Sequence, residues 1–400
     1  MATNKPFKIS GTGCALVDYL YKPVNFNDKR LSQYLSKQAG DGGLAPGKLV
    51  FKEEFEKFSG DSYMQVRDTI TKGKQPVAVN IGGPSIVSLI HAAQMLHGQS
   101  AEVSFYGCMG ADDGGSFIKN KLVNTPLKIG KYKTGTQHTP FTDVLCDPEF
   151  EDGNGERIFI NNVGSAWEFE PSDLDDSFFE SDLIAFGGTA LVPQIHSSLH
   201  ELLKKAKEHN AITVVNTVYD FLNEKQDPSS RWPLGDSVVT YRYIDLLITD
   251  MEESLRLSGT SSIDDAISFF KSTGVGAVIV THGSNMLHFF SDNLLFGKIS
   301  TTTLPVSEKV KSELKQKPDS QGDTTGCGDN FAGGVIASVA KQLIADSGKM
   351  ISITEAIALG VASGGFACFS HGGTFYEQYN GQKAKEIEPY YQEYLTQISI

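Results

Sequence analysis

The chain has 400 residues, of which 40% are hydrophobic and 21% are charged, and its formal net charge at pH 7 is −13. This balance is typical of a globular protein, and the negative charge argues against nucleic acid or an anionic membrane as a partner. No apolar run approaches the roughly 18 residues of a transmembrane helix. The five cysteines are scattered and lack a Cys-x-x-Cys pair, which argues against a zinc site or a disulfide framework and favours the cytoplasm.

Short apolar or β-branched runs alternate with helical patterns along the chain. Strands are predicted at 101–106, 182–186, 212–216, 244–249 and 277–281. Helices are predicted at 85–96, 195–209, 251–257, 263–272, 331–343 and 354–369. Because this alternation is typical of a parallel sheet covered on both faces, we predict an α/β fold that binds ligands beyond the carboxyl ends of its strands.

Other segments do not follow this alternation of strands and helices. Residues 7–21 are predicted to form one strand that extends toward a glycine-rich loop at 40–47. Residues 141–146 and 157–162 flank a turn-rich segment and are predicted to form a hairpin. The polar residues 300–321 are predicted to form a surface loop.

Two polar side chains stand at the ends of predicted strands. Asp18 ends the first one, and its carboxylate could accept hydrogen bonds from two hydroxyls of a diol, although an Asp here could also cap a turn. Asn216 ends a buried strand, where a polar side chain needs a reason. The adjacent Gly82 and Gly83 open a helix, which favours either a tight turn or close approach of a ligand to the backbone.

The most informative stretch is 323–329, which reads Asp-Thr-Thr-Gly-Cys-Gly-Asp and leads into an apolar helix. Gly326 and Gly328 allow a sharp turn whose amides, with the start of the helix, would bind a phosphate. Asp329 would lie beside that phosphate and could take the proton of an attacking hydroxyl. The alternative is that Asp329 only caps the helix.

This run resembles the signature of the ribokinase-like, or PfkB, carbohydrate kinases, Asp-Thr-x-Gly-Ala-Gly-Asp-x-Phe, with Cys327 in the place of Ala. The resemblance implies a three-layer αβα sandwich with a central, mostly parallel sheet and a small β-sheet lid. It implies one domain over 1–400, with the lid from about 15–60 and 135–165. By the same resemblance Asp329 is the catalytic base, and the amides of 326–328 hold the phosphoryl group.

The resemblance also implies a substrate site. Asp18, Gly82 and Gly83 match positions that contact the acceptor. Val87 stands in that site where many members have an Asn that touches the sugar. Because valine has no hydrogen-bonding group, the usual sugar specificities are not expected here.

ATP and Mg²⁺ are the cofactors that the resemblance implies. Asn216 and Glu253 would hold Mg²⁺ through its waters, as that ion prefers. Asp250 stands where the family usually has Asn. The alternative for both Asp250 and Glu253 is that their carboxylates only stabilise the start of a helix. The remaining nucleotide contacts, beside Gly326 and Gly328, would be Thr281, Gly283 and Thr325. Some members also bind K⁺, and its candidate ligands here are Asp323, Thr325, Ser370 and Gly373.

We therefore expect an ATP-dependent kinase that phosphorylates a hydroxyl, usually a primary CH₂OH, of a sugar. A nucleoside is the alternative acceptor, and a non-catalytic relative that binds a sugar or nucleotide is a further alternative. Its partner is expected to be this small molecule. The sequence leaves monomer and homodimer open.

Overall fold

The fold is described by a computed structural model for residues 5–38, 40–150, 156–293, 295–316, 324–346, 348 and 350–399. In chain order, the strands within these residues are β1 Phe7–Gly13, β2 Leu16–Tyr21, β3 Leu49–Phe51, β4 Ala78–Gly82, β5 Ala101–Met109, β6 Lys128–Thr134, β7 Phe141–Asp147, β8 Glu156–Asn162, β9 Leu183–Gly187, β10 Ile212–Asn216, β11 Leu246–Asp250, β12 Ala277–Thr281, β13 Leu287–Asn293 and β14 Gly297–Leu304.

The α-helices are described in the same order. They are α1 Lys29–Ser32, α2 Lys52–Ser59, α3 Tyr63–Thr71, α4 Pro84–Met95, α5 Asp113–Leu122, α6 Asp176–Phe179, α7 Pro193–Ser197, α8 Leu199–Glu208, α9 Phe221–Gln226, α10 Met251–Ser258, α11 Ile263–Thr273, α12 Glu308–Gln316, α13 Cys327–Ala345, α14 Ile353–Ala367 and α15 Gln382–Gln397. None of these helices combines the length and apolar character that a bilayer crossing requires.

A large sheet forms the centre of the molecule. Its strand order is β14-β13-β12-β11-β10-β9-β1-β5-β6, and every pair is parallel except β12–β13 and β13–β14. Adjacent residues of β10 point to opposite faces, so Val214 lies in one apolar core and Val215 in the other. The first core contains α4, α13 and α14, and the second contains α8 and α11. The predicted three-layer α/β fold is confirmed.

A second, smaller sheet has the order β3-β8-β7-β2-β4. Strands β7 and β8 pair antiparallel, as the hairpin prediction expected. The sheet also includes β4, which lies outside the two segments predicted for the lid. One face of the sheet packs on a separate apolar cluster that includes Tyr21, Phe55 and Tyr63.

The prediction of a single strand over 7–21 was wrong. The segment is divided at Cys14 and Ala15, so that β1 belongs to the large sheet and β2 to the small one. Gly13 adopts a positive φ of 135°, and a Cβ atom there would clash with the carbonyl oxygen of Gly187. The chain thus changes sheets at a crowded, glycine-dependent point.

The prediction of a loop over 300–321 was also wrong, as far as residue 316. Residues 300–304 belong to β14, an edge strand with many exposed residues, and residues 308–316 form α12 with Val310 as its buried residue. Edge strands and surface helices need few apolar residues, which explains the polar composition.

Candidate active site

The glycine signature forms the first turn of α13. Gly326 is the N-cap residue, with a φ of 77°, and a Cβ atom there would clash with the Cα atom of Gly373. A Cβ atom on Gly328 would instead meet nothing within 4 Å, so the space beside this turn is open. Open space over the first turn of a 19-residue helix suits a phosphate group, because the positive end of the helix dipole lies there.

Asp329 lies in the first turn of α13 but is not its cap, since Gly326 has that position. The alternative that Asp329 only caps the helix is therefore wrong. Its side chain is partly exposed, yet burial of the carboxyl group raises its pKa to about 6. A carboxyl group with such a pKa is ionised at neutral pH and is a stronger base than an ordinary aspartate.

The charges of Asp18 and Asp329 both act on the buried thiol of Cys14. Burial raises the pKa of Cys14, and the negative charges of Asp18 and Asp329 raise it further. Asp18 lies within strand β2, not in a turn, and a Cβ atom on Gly82 would clash with its carboxylate. The predicted substrate-binding carboxylate and the predicted base therefore both lie within electrostatic range of Cys14.

Gly83 and Val87 lie on the other side of this site. Gly83 precedes α4 with a φ of 105°, and a Cβ atom there would lie 2.7 Å from the carbonyl oxygen of Cys14. Val87 is only 1% exposed, and its methyl groups would lie 3.2–3.3 Å from a Cβ atom on Gly373. Val87 thus packs behind the loop that contains Gly373.

A second group of predicted residues lies at the carboxyl ends of β10 and β11. The buried Oδ1 atom of Asn216 has no hydrogen-bond partner among the described residues. Glu253 is 8% exposed and accepts hydrogen bonds from the hydroxyls of Thr217 and Thr249. Burial raises the pKa of Glu253 to about 7, and the charge of Asp250 contributes.

Asp250 caps α10. Its carboxylate accepts a hydrogen bond of 2.8 Å from the Glu253 amide, and the Glu253 carboxylate accepts one from the Asp250 amide at 3.3 Å. Because Asp and Asn are equally good N-caps, the exchange of the usual Asn for Asp leaves this turn intact.

Two more predicted positions lie at the next strand. Thr281 ends β12 and donates a hydrogen bond of 3.4 Å to the carbonyl oxygen of Thr249. Gly283 has a φ of 55° and open space around its Cα atom. The predicted nucleotide residues of β10, β11 and β12 thus follow adjacent parallel strands at one edge of the sheet.

The candidate K⁺ ligands are described only in part. Asp323 lies outside the described residues, whereas Thr325 and Ser370 are partly exposed. The carbonyl oxygen of Gly373 already accepts a hydrogen bond of 2.8 Å from Asn330. Elsewhere in the described part of the chain, no three or more His, Cys, Asp or Glu residues cluster as metal ligands would.

Sequence reasoning missed a buried clamp formed by Asn330 and Lys383. The Asn330 amide nitrogen donates hydrogen bonds of 2.8 Å to the carbonyl oxygens of both Gly326 and Gly373. Its Oδ1 atom accepts a bond of 2.7 Å from Lys383, which is 2% exposed on α15. Burial lowers the pKa of Lys383 to about 7. The clamp joins the signature turn to the Gly373 loop. The only sequence signal for Asn330 was its place directly after Asp329.

Sequence reasoning also missed a polar row across the small sheet. The register of the strands places Asn161, Thr142, Asp18 and Asn80 side by side on one face. Asn161 donates a hydrogen bond of 3.0 Å to Thr142, and the Asn80 amide lies so close to Gly372 that a Cβ atom there would clash with it. Since this face carries Asp18, the row faces the site.

The next row on the same face is apolar. Two residues away from the polar row, toward the same end of the sheet, the register aligns a set of half-buried apolar side chains. They are Leu49, Phe159, Val144, Leu20 and Ala78. Partly exposed apolar side chains next to a polar row form a surface with two distinct chemistries.

Comparison with known proteins identifies the family. The model of the pfkB family carbohydrate kinases matches residues 64–378. The chain belongs to this family. It is therefore a phosphotransferase that acts on an alcohol group of a sugar or nucleoside.

Individual relatives are distant. An adenosine kinase from Schizosaccharomyces pombe (strain 972 / ATCC 24843) is 24% identical over 314 residues, which are 74% of this chain and 84% of the relative. The adenosine kinase from Schistosoma mansoni in complex with 2-fluoroadenosine aligns with a TM-score of 0.67 and 17% identity, over 92% of this chain and 97% of that one. A putative ribokinase II from E. coli in complex with ATP and Mg²⁺ aligns with a TM-score of 0.63 and 16% identity, over 97% and 99%.

The first prediction concerns Asp329. Asp329→Asn removes the proton acceptor but keeps the shape, so kcat should fall by about 10²–10⁴. Because burial disfavours the ionised carboxyl group, the neutral variant should unfold at an equal or higher temperature at pH 7. Asp113→Asn is the matched control in the first turn of α5 and should leave kcat within about twofold. Near-normal turnover of Asp329→Asn would contradict the assignment.

The second prediction concerns pH. Protonation of Asp329 removes the base, so kcat/KM should fall as the pH drops through about 6, its raised pKa. A profile of initial rates between about pH 4.5 and 8, measured with saturating ATP, checks this. A profile that stays flat through pH 6 would show that another group accepts the proton.

The third prediction concerns the clamp. Asn330→Asp replaces the two amide donors with an acceptor facing two carbonyl oxygens, so the signature turn should lose its fixed position. We expect kcat to fall at least about tenfold, with a smaller change in the KM for ATP. Asn210→Asp, at an exposed turn after α8, is the control. An unchanged kcat for Asn330→Asp would assign the clamp a purely structural role.

Proposed function

We propose that this kinase transfers the γ-phosphoryl group of ATP to the primary hydroxyl of a nucleoside. The observation that carries the acceptor assignment is the pair of rows on the small sheet. The polar row that includes Asp18 suits the hydroxyls of a ribose, and the half-buried apolar row next to it suits a flat base. The adenosine kinases among the relatives support this assignment.

The mechanism follows from the signature turn. Asp329 takes the proton of the acceptor hydroxyl. At the same time the hydroxyl oxygen forms a bond to the γ-phosphorus, and the bond from that phosphorus to the β–γ bridging oxygen breaks. The amides of Gly326, Cys327 and Gly328 stabilise the negative charge of the transferring group. Asp18 orients the acceptor, and the raised pKa of Asp329 favours proton capture.

The nucleotide would lie along the edge formed by Asn216, Asp250, Glu253, Thr281 and Gly283, with Thr325 next to the signature turn. The Oδ1 atom of Asn216, which has no hydrogen-bond partner in the described part of the chain, and the buried Glu253 carboxylate supply oxygen atoms that suit a hydrated Mg²⁺ ion. Mg²⁺ supplies neutralisation of the phosphate charges in such reactions. The E. coli ribokinase II complex with ATP and Mg²⁺ supports both cofactors for this fold.

We propose that the small sheet acts as the lid, with the extent predicted from the sequence enlarged by β4. Phe51 and Phe221 contact edge to face with ring centroids 6.4 Å apart, and Glu54 pairs with Lys225. These contacts join the small sheet to the segment after β10. A lid held there excludes water, which would compete with the acceptor as nucleophile.

The remaining proposals concern the cellular location, K⁺ and the oligomeric state. A cytoplasmic location is supported by the five cysteines, all of which are thiols in the structure. A K⁺ site formed by Thr325, Ser370, Gly373 and Asp323 stays a prediction. The oligomeric state, monomer or homodimer, also stays a prediction. No partner other than the small-molecule substrate is proposed.

The fourth prediction tests the acceptor. With Mg·ATP, kcat/KM should be at least about 10² higher for a nucleoside than for free ribose, because only the nucleoside reaches the apolar row. Release of ADP from a panel of nucleosides, pentoses and hexoses checks this. A free sugar that reacts as well as any nucleoside would favour a simple sugar kinase, the second candidate.

A variant separates the two candidates further. Phe159→Ala removes the aromatic ring of the apolar row and should raise the KM for the nucleoside about 10- to 100-fold, the worth of burying a side chain of this size. The kinetics with a free sugar should change little. Glu156→Ala, also on β8 but on the opposite face of the strand, is the control for a general disturbance of the strand.

A further inference from the structure

Two cysteines that are 41 residues apart in sequence come into contact beside the signature turn. The Sγ atoms of Cys327 and Cys368 are 3.4 Å apart. Cys327 is the first residue of α13, within the turn proposed to hold the phosphoryl group, whereas Cys368 follows the last residue of α14. Both side chains are partly exposed, so a small reagent can reach them.

The packing of the two helices fixes this contact. A Cβ atom on Gly364 would lie 2.9 Å from the carbonyl oxygen of Cys327, so glycine allows the start of α13 to approach α14 closely. Cys368 lies one helical turn after Gly364, and its thiol is 3.8 Å from the Gly364 carbonyl oxygen. The two sulfur atoms therefore face each other across a close helix contact.

We propose that Cys327 and Cys368 are a site of oxidative modification, at which an intramolecular disulfide forms and turns off phosphoryl transfer. The formation of the bond stands on the thiol geometry alone, and its effect on activity rests on the proposed role of the signature turn. The other three cysteines do not offer such a pair, since Cys14 and Cys108 are buried and Cys146 lies in β7 of the small sheet.

The reaction is an exchange with a low-molecular-weight disulfide. The thiolate of one cysteine attacks a sulfur atom of the reagent, forms a mixed disulfide and releases one reagent thiol. The second protein thiolate then attacks the protein sulfur of the mixed disulfide and releases the other reagent thiol. Two protein thiols are oxidised, one reagent disulfide is reduced to two thiols, and the two protons pass to the leaving thiolates.

The effect on activity follows from the distance that must close. A disulfide bond is about 2.0 Å long, so the sulfur atoms must approach by more than one ångström. Part of this movement falls on the turn from Gly326 to Gly328, whose amides must match the transferring phosphoryl group. Misplacement of a catalytic element by about 1 Å can cost a factor of about 10² in rate.

The first part of the test detects the bond without any assay of activity. The full-length protein is incubated with glutathione disulfide, and its intact mass and its peptides are measured before and after reduction with dithiothreitol. We expect the loss of two hydrogen atoms and a cross-linked peptide pair containing Cys327 and Cys368. Accumulation of a mixed disulfide alone, or no reaction at these residues, would overturn the proposal.

The second part measures the consequence. ADP release by the oxidised protein should fall at least about tenfold and should return after reduction. Cys368→Ala molecules whose intact mass shows no mixed disulfide at Cys327 should keep their activity in the presence of glutathione disulfide, whereas Cys146→Ala should remain sensitive like the unmodified chain. If Cys368→Ala does not fold, Cys368→Ser serves in its place. A cross-linked protein with full activity would overturn the switch.

The two hypotheses fail separately. If no acceptor is found, mass spectrometry still detects the cross-link. Binding of a fluorescent ATP analogue then replaces turnover as the test of whether the signature turn still binds phosphate. A cross-link that leaves the affinity for this analogue unchanged would then contradict the effect on the phosphate site.

Discussion

The site depends on the junction between the signature turn and the Gly373 loop. The Asn330 amide donates to a carbonyl oxygen of each segment, and Lys383 holds that amide from behind. Gly326 and Gly373 lie so close to each other that no side chain fits between them. Because the amides proposed to bind the phosphoryl group belong to this turn, their direction follows from a contact between segments that lie far apart in sequence.

The same junction carries costs in stability. Lys383 is almost fully buried, which lowers its pKa, and burial raises the pKa of Asp329. Both shifts show that the folded protein disfavours the charged forms of these groups. Such costs are common where a protein arranges groups for chemistry, and the large apolar cores on both faces of the sheet offset them.

Much of the architecture could be predicted from the sequence, because strand and helix periodicities are local properties. Strands such as Ala277–Thr281 were predicted to the residue, and the glycine signature indicated both the start of α13 and the family. The division of 7–21 between two sheets was not predictable, because it depends on a contact between Gly13 and Gly187.

The parts of the site that were missed are all long-range. Lys383 lies 53 residues after Asn330, and no local pattern pairs them. The polar and apolar rows exist only once the register of five strands is known. Val87 and Asp250, which depart from the family pattern, find their explanation in packing and capping, because Val87 supports the Gly373 loop and Asp250 caps α10 as an Asn would.

The central claim is that the amides of 326–328 and the carboxylate of Asp329 hold the two reacting groups. A crystal structure of the protein with Mg·ADP, aluminium fluoride and the accepted nucleoside tests it most directly. The account predicts that the fluoride complex, which mimics the transferring phosphoryl group, lies against these three amides, with the acceptor hydroxyl hydrogen-bonded to Asp329. A fluoride complex bound elsewhere, or an acceptor hydroxyl that contacts another base, would contradict it.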